Sequence, residues 1–264
     1  FRDRSFFGVH RIADQDDIRV YGNGPTVHGI QLLADYEKPQ PQPTSYYHPN
    51  GAMGQILTSH LGADATQIGI VGLGVGSLAC YAKEGQTWEY YEIDALVDDV
   101  ARDANLFTFL ASCTPDAPTH IGDARIVLET QTGKEFDILV IDAYSSNSIP
   151  LHLTTREAVQ LYLDRVSDRG VILFHISNRY YDVWRPLSRI AADLEIPAWQ
   201  QTYVGDGADG PGFTGSQVVA LTQAKAAKGY FEDDPRWTPL ISDGGSVWTD
   251  DFANPLSVLK VLTE

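Results

Sequence analysis

A glycine-rich run with an acid twenty residues beyond its first glycine is the clearest chemical pattern in this sequence. Residues 70–79 read IVGLGVGSLA, and residues 91–94 read YEID. Glycines let the backbone turn tightly and approach a ligand closely at the start of a helix. Glu92 follows Gly72 at the distance where a nucleotide site places the acid that accepts ribose hydroxyls. The pattern predicts a nucleoside site formed by Gly72, Gly74, Gly76 and Glu92.

The spacing of these glycines narrows the class of ligand. The run has the form G-x-G-x-G, and Ser77 stands where the dinucleotide pattern G-x-G-x-x-G has its last glycine. The shorter form is typical of proteins that bind S-adenosylmethionine or its relatives. A glycine run by itself is equally typical of a plain strand–helix turn, so the interpretation depends on the acids that accompany it.

Two further acids follow predicted strands. Asp123 lies in the motif Gly122-Asp123-Ala124, and Asp142 ends a strongly apolar run. The carboxyl ends of parallel strands meet at one rim of a sheet, so both acids are expected beside the glycine run. Asp123 could accept the exocyclic amine of adenine, and Asp142 would lie beside the reacting centre. Taken singly, each acid could instead be a helix N-cap or a solvated loop residue.

The pattern of apolar residues predicts the elements that position these groups. Strands are expected at 68–72, 88–92, 119–121, 136–141 and 170–176, and helices at 77–85, 95–104, 154–167 and 183–194. This alternation predicts an α/β fold with a doubly wound, Rossmann-like, mostly parallel sheet. Residues 1–62 are expected to form a small N-terminal β-rich domain with a helix near 53–61, and residues 63–264 the nucleoside-binding domain.

Composition excludes several classes of protein. The net charge of −16 opposes nucleic-acid binding and would attract cationic ligands such as polyamines, although solubility is the simpler explanation. No apolar run reaches 18 residues, so no membrane span is predicted. Cys80 and Cys113 lack C-x-x-C spacing, which argues against a disulfide scaffold or a zinc site and fits a reducing, cytoplasmic compartment. The histidines show no metal-binding spacing, and no metal is expected.

Three other motifs could face a substrate. Tyr47 and His48 precede the nucleoside domain, where either could orient or deprotonate an amine, although a Tyr-Tyr pair more often packs in a core. Asp250 follows Trp248 and could bind a cationic amine through charge and ring face, or could belong to a surface turn. His175 could line the pocket, but a satisfied histidine at a strand end is the simpler interpretation.

Together these motifs resemble the spermidine synthase family of aminopropyltransferases, from about residue 18 to 176. The glycine loop, the ribose-binding Glu motif, the adenine-side GD motif and the acidic loop with its proposed base are similar to residues 72–76, 91–94, 122–123 and 142–146. Gln31 is similar to a strand-end Gln of the family, and Tyr47-His48 to its Tyr-His or Tyr-Gln pair. The family's small N-terminal domain contributes to homodimers.

The resemblance implies transfer of an aminopropyl group from decarboxylated S-adenosylmethionine to an amine, in polyamine synthesis, with methylthioadenosine released. It implies that Asp142 is the base and that Tyr47 helps to hold the amine. The expected cofactor-binding residues are Gln31, Gly72, Gly74, Gly76, Glu92, Asp123 and Ala124. The expected substrate-binding residues are His48, Tyr144, Ser145 and Asp250.

The sequence departs from the family where amines are bound. Val75 replaces an Asp that holds the aminopropyl ammonium, Ser145 replaces a second Asp of the acidic loop, and Phe7-Gly8 replaces a Tyr-Gln pair. The pattern is closer to the divergent spermidine-synthase-like domains that are often fused to membrane-transporter-like helices. A chain that starts at Phe1 is consistent with a soluble piece of such a protein.

Two alternatives stay open at this point. Val75 also fits a methyltransferase that uses intact S-adenosylmethionine, because the amino-acid end of that molecule would be contacted differently. The lost amine contacts fit a non-catalytic module that senses methylthioadenosine or a polyamine for a membrane partner.

Overall fold

The computed structural model describes residues 1–24, 26–133, 135–143, 150–205, 210 and 212–260. The N-terminal part forms a four-stranded antiparallel sheet in the order β1-β2-β3-β4. Its strands are β1 Arg2–Ser5, β2 Gly8–Gln15, β3 Ile18–Asn23 and β4 Thr26–Leu32. The first two strands were not predicted, because their residues are mostly polar and show no buried face in the sequence.

An eight-stranded sheet lies at the centre of the larger, second part of the molecule. Its strands are β5 Gln67–Val71, β6 Thr87–Glu92, β7 Thr119–Ile121, β8 Phe136–Ile141, β9 Val166–His175, β10 Ala198–Tyr203, β11 Ser216–Leu221 and β12 Thr238–Pro239, in the order β12-β10-β11-β9-β8-β5-β6-β7. Strands β5 to β9 pair in parallel, and the remaining pairs are antiparallel. All six residues of β8 are buried, as expected for a strand covered on both faces. The predicted Rossmann-like, mostly parallel sheet with a small N-terminal β-sheet is confirmed.

Helices cover both faces of this sheet or precede it. They are α1 Ala52–Thr58, α2 His60–Asp64, α3 Ala95–Arg102, α4 Phe109–Cys113, α5 Ala124–Thr130, α6 Arg156–Leu163, α7 Trp184–Asp193 and α8 Lys225–Asp233. The helix predicted near 53–61 is divided at Ser59, whose extended backbone and side-chain bond to the Leu61 N–H start a new helix. Among the described residues, no helix has the length and apolar character needed to cross a membrane.

The segment after the glycine run differs most from its prediction. An α-helix was expected at 77–85, but a short 3₁₀ helix spans Ser77–Tyr81 instead. Gly85, with a φ of +84°, turns the chain back towards β6 and leaves no room for a longer helix. The short helix positions Cys80 beside the end of α4.

Cys80 and Cys113 form a disulfide that joins this 3₁₀ helix to α4. The absence of C-x-x-C spacing predicts a reducing compartment, and the paired cysteines differ from that expectation. Disulfides are rare in such compartments, so cysteine usage does not support the cytoplasmic prediction. Spacing in the sequence gave no sign of the bond, because pairing depends on a Cα–Cα distance that the fold sets, here 5.0 Å.

The N-terminal sheet shares a core with one face of the large sheet. Buried residues of this cluster include Ile12 and Tyr21 from the small sheet, Met53 from α1, and Ile70 from β5. A second cluster, which includes Leu139, fills the opposite face under α6 and α7. The shared core holds the small sheet over the carboxyl ends of the parallel strands.

Candidate functional site

A cavity of about 400 Å³ lies between the N-terminal sheet and the carboxyl ends of the parallel strands. It is lined on one side by residues of β4 and on the other by residues at or just after the carboxyl ends of β5, β6, β7, β8 and β9. Residues from the sequence prediction that line it are Tyr47, Gly72, Gly74, Glu92, Asp123, Ala124 and Asp142, and His175 joins them. The structure therefore brings the three predicted acids and the first two glycines of the run to one site.

The glycine run needs glycine for two separate reasons. Gly72 and Gly74 have φ values of +93° and +57°, a region that other residues rarely adopt. A side chain at Gly72 would overlap the carbonyl oxygen of Asp142, and one at Gly74 would overlap the carbonyl oxygen of His28. Gly76 does not line the cavity and instead starts the 3₁₀ helix against Leu110. The loop thus lies in direct backbone contact with both sides of the site.

The carboxylate of Glu92 is held at the cavity by the main chain. Its Oε2 accepts the Leu73 N–H at 3.0 Å, and its Oε1 accepts the Asp94 N–H at 3.0 Å. Burial raises the pKa of Glu92, and these backbone hydrogen bonds oppose the rise. A carboxylate has about four acceptor positions, so this side chain can also accept hydrogen bonds from ligand hydroxyls.

Asp123 caps a helix and also lines the cavity. Its Oδ1 accepts the N–H groups of Arg125 at 2.9 Å and Ile126 at 3.3 Å, which caps helix α5. Its Oδ2 lies 3.0 Å from Nε2 of His152, which also lines the cavity. The helix-cap interpretation therefore holds for Oδ1. Oδ2 takes no part in the cap and lies near His152, which lines the cavity together with Asp123 and Ala124.

Asp142 is held by two side chains rather than by backbone groups. The Tyr47 hydroxyl donates to Oδ2, and Nδ1 of His175 lies 2.7 Å from Oδ1. The side chains of Asp142 and His175 are each 5% exposed. Burial raises the pKa of Tyr47 well above its usual range, and the charge of Asp142 adds to the effect. The hydroxyl therefore keeps its proton and donates a hydrogen bond to Asp142. Tyr46 stacks on His175 with ring centroids 4.2 Å apart.

The sequence favours a satisfied strand-end histidine at position 175. The structure shows that it is hydrogen-bonded and that it also lines the cavity. The position of His175 at the end of a strand indicates this role, because β8 and β9 are adjacent parallel strands with Ile141 paired to Phe174. Asp142 follows Ile141 and His175 follows Phe174, so the two residues lie side by side.

Besides Gly76, three further predicted site residues do not line the cavity. The buried Gln31 exchanges two hydrogen bonds with Thr108, at 2.6 and 3.0 Å, and joins the N-terminal sheet to the start of α4. The buried His48 accepts the Asn50 N–H at 3.2 Å. Asp250 forms a two-pronged ion pair with Arg125, at 2.7 and 2.6 Å. Tyr144 and Ser145 lie outside the described residues.

Val75 is buried and does not line the cavity. It packs so closely on Gly29 that a Cβ there would overlap its methyl groups. The glycine loop thus presents a packed valine, and no acid, at this position. Within the described ranges, no group of three His, Cys, Asp or Glu residues could hold a metal ion.

A search for similar sequences found a partial match, and no family model matches the chain. A polyamine aminopropyltransferase of Vibrio vulnificus (strain CMCP6) is 30% identical over 43% of this chain. The match spans only 39% of that protein's length.

Solved structures of spermidine synthases have a similar fold. A probable spermidine synthase from Corynebacterium glutamicum ATCC 13032 has a TM-score of 0.66 at 15% identity, over 96% of this chain and 97% of that one. A spermidine synthase in complex with the transition state analogue AdoDATO has a TM-score of 0.57 at 18% identity, over 85% and 73%. The chain therefore has the fold of spermidine synthases, a Rossmann-like sheet with a small N-terminal sheet, and part of its sequence is similar to a polyamine aminopropyltransferase.

Proposed function

We propose that this protein is a transferase that uses a sulfonium nucleoside as its co-substrate. The reaction that we propose is transfer of an aminopropyl group from decarboxylated S-adenosylmethionine to an amine. The observation that carries the proposal is the single cavity that collects the glycine loop and the carboxylates of Glu92, Asp123 and Asp142. The partial similarity to a polyamine aminopropyltransferase supports it.

The nucleoside would bind along the ends of β5, β6 and β7. Glu92 would accept the ribose hydroxyls, since its carboxylate is already fixed by two backbone N–H groups. Asp123 would accept the adenine amine through Oδ2, the oxygen that it shares with His152. Gly72 and Gly74 would let the backbone approach the ligand without side-chain overlap.

The reaction would be a direct displacement at the carbon next to the sulfonium. The nitrogen of the acceptor forms a bond to that carbon, the carbon–sulfur bond breaks, and the sulfur keeps the electron pair as methylthioadenosine leaves. The acceptor must also lose a proton, which would pass to the carboxylate of Asp142. The Tyr47 hydroxyl donates a hydrogen bond to Oδ2 of that carboxylate and would help to hold the amine.

A product assay tests the proposal. The protein is incubated with decarboxylated or intact S-adenosylmethionine and with 1,3-diaminopropane, 1,4-diaminobutane or spermidine, and products are identified by mass spectrometry. We expect methylthioadenosine and an aminopropylated amine from the decarboxylated form. Asp142→Asn should lower the rate by about 100-fold or more, because a general base contributes on that order. Turnover unchanged in this variant would contradict the role of Asp142.

Methyl transfer from intact S-adenosylmethionine is the second candidate. The buried Val75 favours it, because the glycine loop offers no acid to an aminopropyl ammonium at this position. Calorimetry with both co-substrates separates the two reactions, since a clear preference for the decarboxylated form would exclude methyl transfer. Nucleoside binding without any turnover would instead indicate a sensing module.

A further inference from the structure

We propose that His175 is a positioning residue that fixes the carboxylate of Asp142 for proton transfer. The inference rests on the proposed role of Asp142 as the base. The positioning role accounts for a titratable side chain that is buried at the reacting end of the cavity.

The contact between the two residues is built into the sheet. Because Ile141 pairs with Phe174, the ends of β8 and β9 place Asp142 and His175 side by side. The Nδ1–Oδ1 distance of 2.7 Å is that of a hydrogen bond to a charged group. A carboxylate that acts as a base must be ionised and can only accept, so the proposal places a proton on Nδ1 of His175.

Both oxygens of the carboxylate are thereby fixed. Tyr47 bonds to Oδ2 and His175 to Oδ1, so the group cannot rotate without breaking a buried hydrogen bond. The His175 ring is itself held by Tyr46, whose plane lies within 18° of the imidazole plane. Each oxygen keeps a further acceptor position for the proton of a substrate. A base held in this way reacts from one orientation, which is the advantage that positioning gives to catalysis.

A second histidine–carboxylate pair provides a matched control. His120 lies 2.9 Å from Glu89 and stacks on Tyr91 with centroids 5.0 Å apart, but neither His120 nor Glu89 lines the cavity. Each pair joins an imidazole nitrogen to a carboxylate and stacks the imidazole on a tyrosine ring, although His120 uses Nε2 and is more exposed than His175. A purely structural role predicts that loss of either histidine affects stability and leaves the chemical step unchanged.

Three variants test the inference: His175→Leu, His175→Asn and His120→Leu. Leucine removes the donor to Asp142, and asparagine keeps an N–H near the position of Nδ1. Steady-state rates are measured with the co-substrate and amine that the product assay selects, and calorimetry gives the affinity for methylthioadenosine.

We expect His175→Leu to lower kcat by on the order of 10- to 100-fold, the cost of a misplaced reacting group. KM for the co-substrate and the affinity for methylthioadenosine should stay within about twofold of the wild type, since the nucleoside end is untouched. His175→Asn should recover most of the lost rate, and His120→Leu should leave kcat unchanged. Nitrogen NMR of the wild type should place a proton on Nδ1 of His175.

Several results would overturn the inference. These are an unchanged kcat in His175→Leu, an asparagine variant as slow as the leucine variant, or an Nδ1 without a proton. Transfer by the wild type together with an unaffected His175→Leu variant would defeat this inference and leave the proposed function standing. A wild type that transfers nothing from either co-substrate would defeat both.

Discussion

The two ends of the cavity hold their acids by different means. At the nucleoside end, backbone N–H groups fix Glu92 and one oxygen of Asp123. At the reacting end, the side chains of Tyr47 and His175 fix Asp142. The first arrangement comes from strand–loop–helix geometry within a few residues of each acid or across adjacent strands. The second depends on a tyrosine that precedes the large sheet by many residues.

This difference indicates which changes each end can tolerate. Backbone donors persist through most substitutions, so the nucleoside end should be damaged chiefly by changes that move the main chain or remove the acid itself. The reacting end should lose activity with single side-chain changes that leave the fold intact. Substitutions at the two ends should therefore separate nucleoside affinity from the rate of the chemical step.

The largest effect is expected from Gly72→Ala, which breaks the backbone-held end. A methyl group there would overlap the carbonyl oxygen of Asp142, at a φ that alanine rarely adopts. We expect a loss of about 3 kcal/mol or more in the free energy of unfolding and no measurable nucleoside binding. Gly85→Ala is the control, since its φ is similarly positive at +84° and its surroundings are open, and it should cost about 1 kcal/mol. Denaturant unfolding and calorimetry measure both, and equal losses would contradict the overlap.

Glu92→Gln should have the next largest effect, on nucleoside affinity. Loss of a charged acceptor costs about 1.5–3 kcal/mol, or roughly 10- to 150-fold in the dissociation constant of methylthioadenosine. The pKa of Glu92 is raised by burial, so in the wild type affinity should fall with decreasing pH at a higher pH than for an ordinary Glu. This fall should be absent in Glu92→Gln. Calorimetry across pH tests the prediction, and an equal pH dependence in both proteins would contradict it.

Tyr47→Phe should have a smaller effect, confined to the reacting end. It removes the donor to Oδ2 of Asp142 and keeps the ring. We expect kcat to fall by about 10-fold, because one hydrogen bond to a charged group is lost, with nucleoside affinity unchanged. Tyr90→Phe is the control: Tyr90 is also buried, and its hydroxyl bonds to Thr114 at 3.0 Å away from the cavity. A loss of nucleoside affinity in Tyr47→Phe would show that the two ends are not separable.

The smallest effect is expected from Asp250→Asn. Asp250 is 43% exposed and paired with Arg125, whose guanidinium lowers the pKa of Asp250. Exposed ion pairs contribute about 1 kcal/mol or less, so thermal unfolding should shift slightly and kinetics should stay unchanged. A rise in KM for the amine would instead support the sequence prediction that Asp250 binds substrate.

Much of the fold and of the nucleoside end could be predicted because the causes are local. The apolar residues of β8 predict a buried strand wherever it pairs, and an acid that follows a parallel strand must reach the common rim. The reacting end is different, because Tyr47 and Asp142 are 95 residues apart and no periodicity connects them. The ion pair of Asp250 and Arg125 could not be predicted for the same reason, because the two residues are 125 positions apart. The close packing of Val75 on Gly29 likewise depends on a contact between residues far apart in the sequence.

The disulfide closes a covalent ring around part of the nucleoside end. Cys80 and Cys113 are 33 residues apart, and the chain between them contains β6, α3 and Glu92. When a single molecule is stretched from its two ends, the force passes through the sulfur–sulfur bond and bypasses this segment. The unfolded chain would therefore be shorter by about 110 Å than the same chain after reduction. The unfolded length in single-molecule stretching experiments would thus report whether the disulfide around the segment with Glu92 is oxidised or reduced.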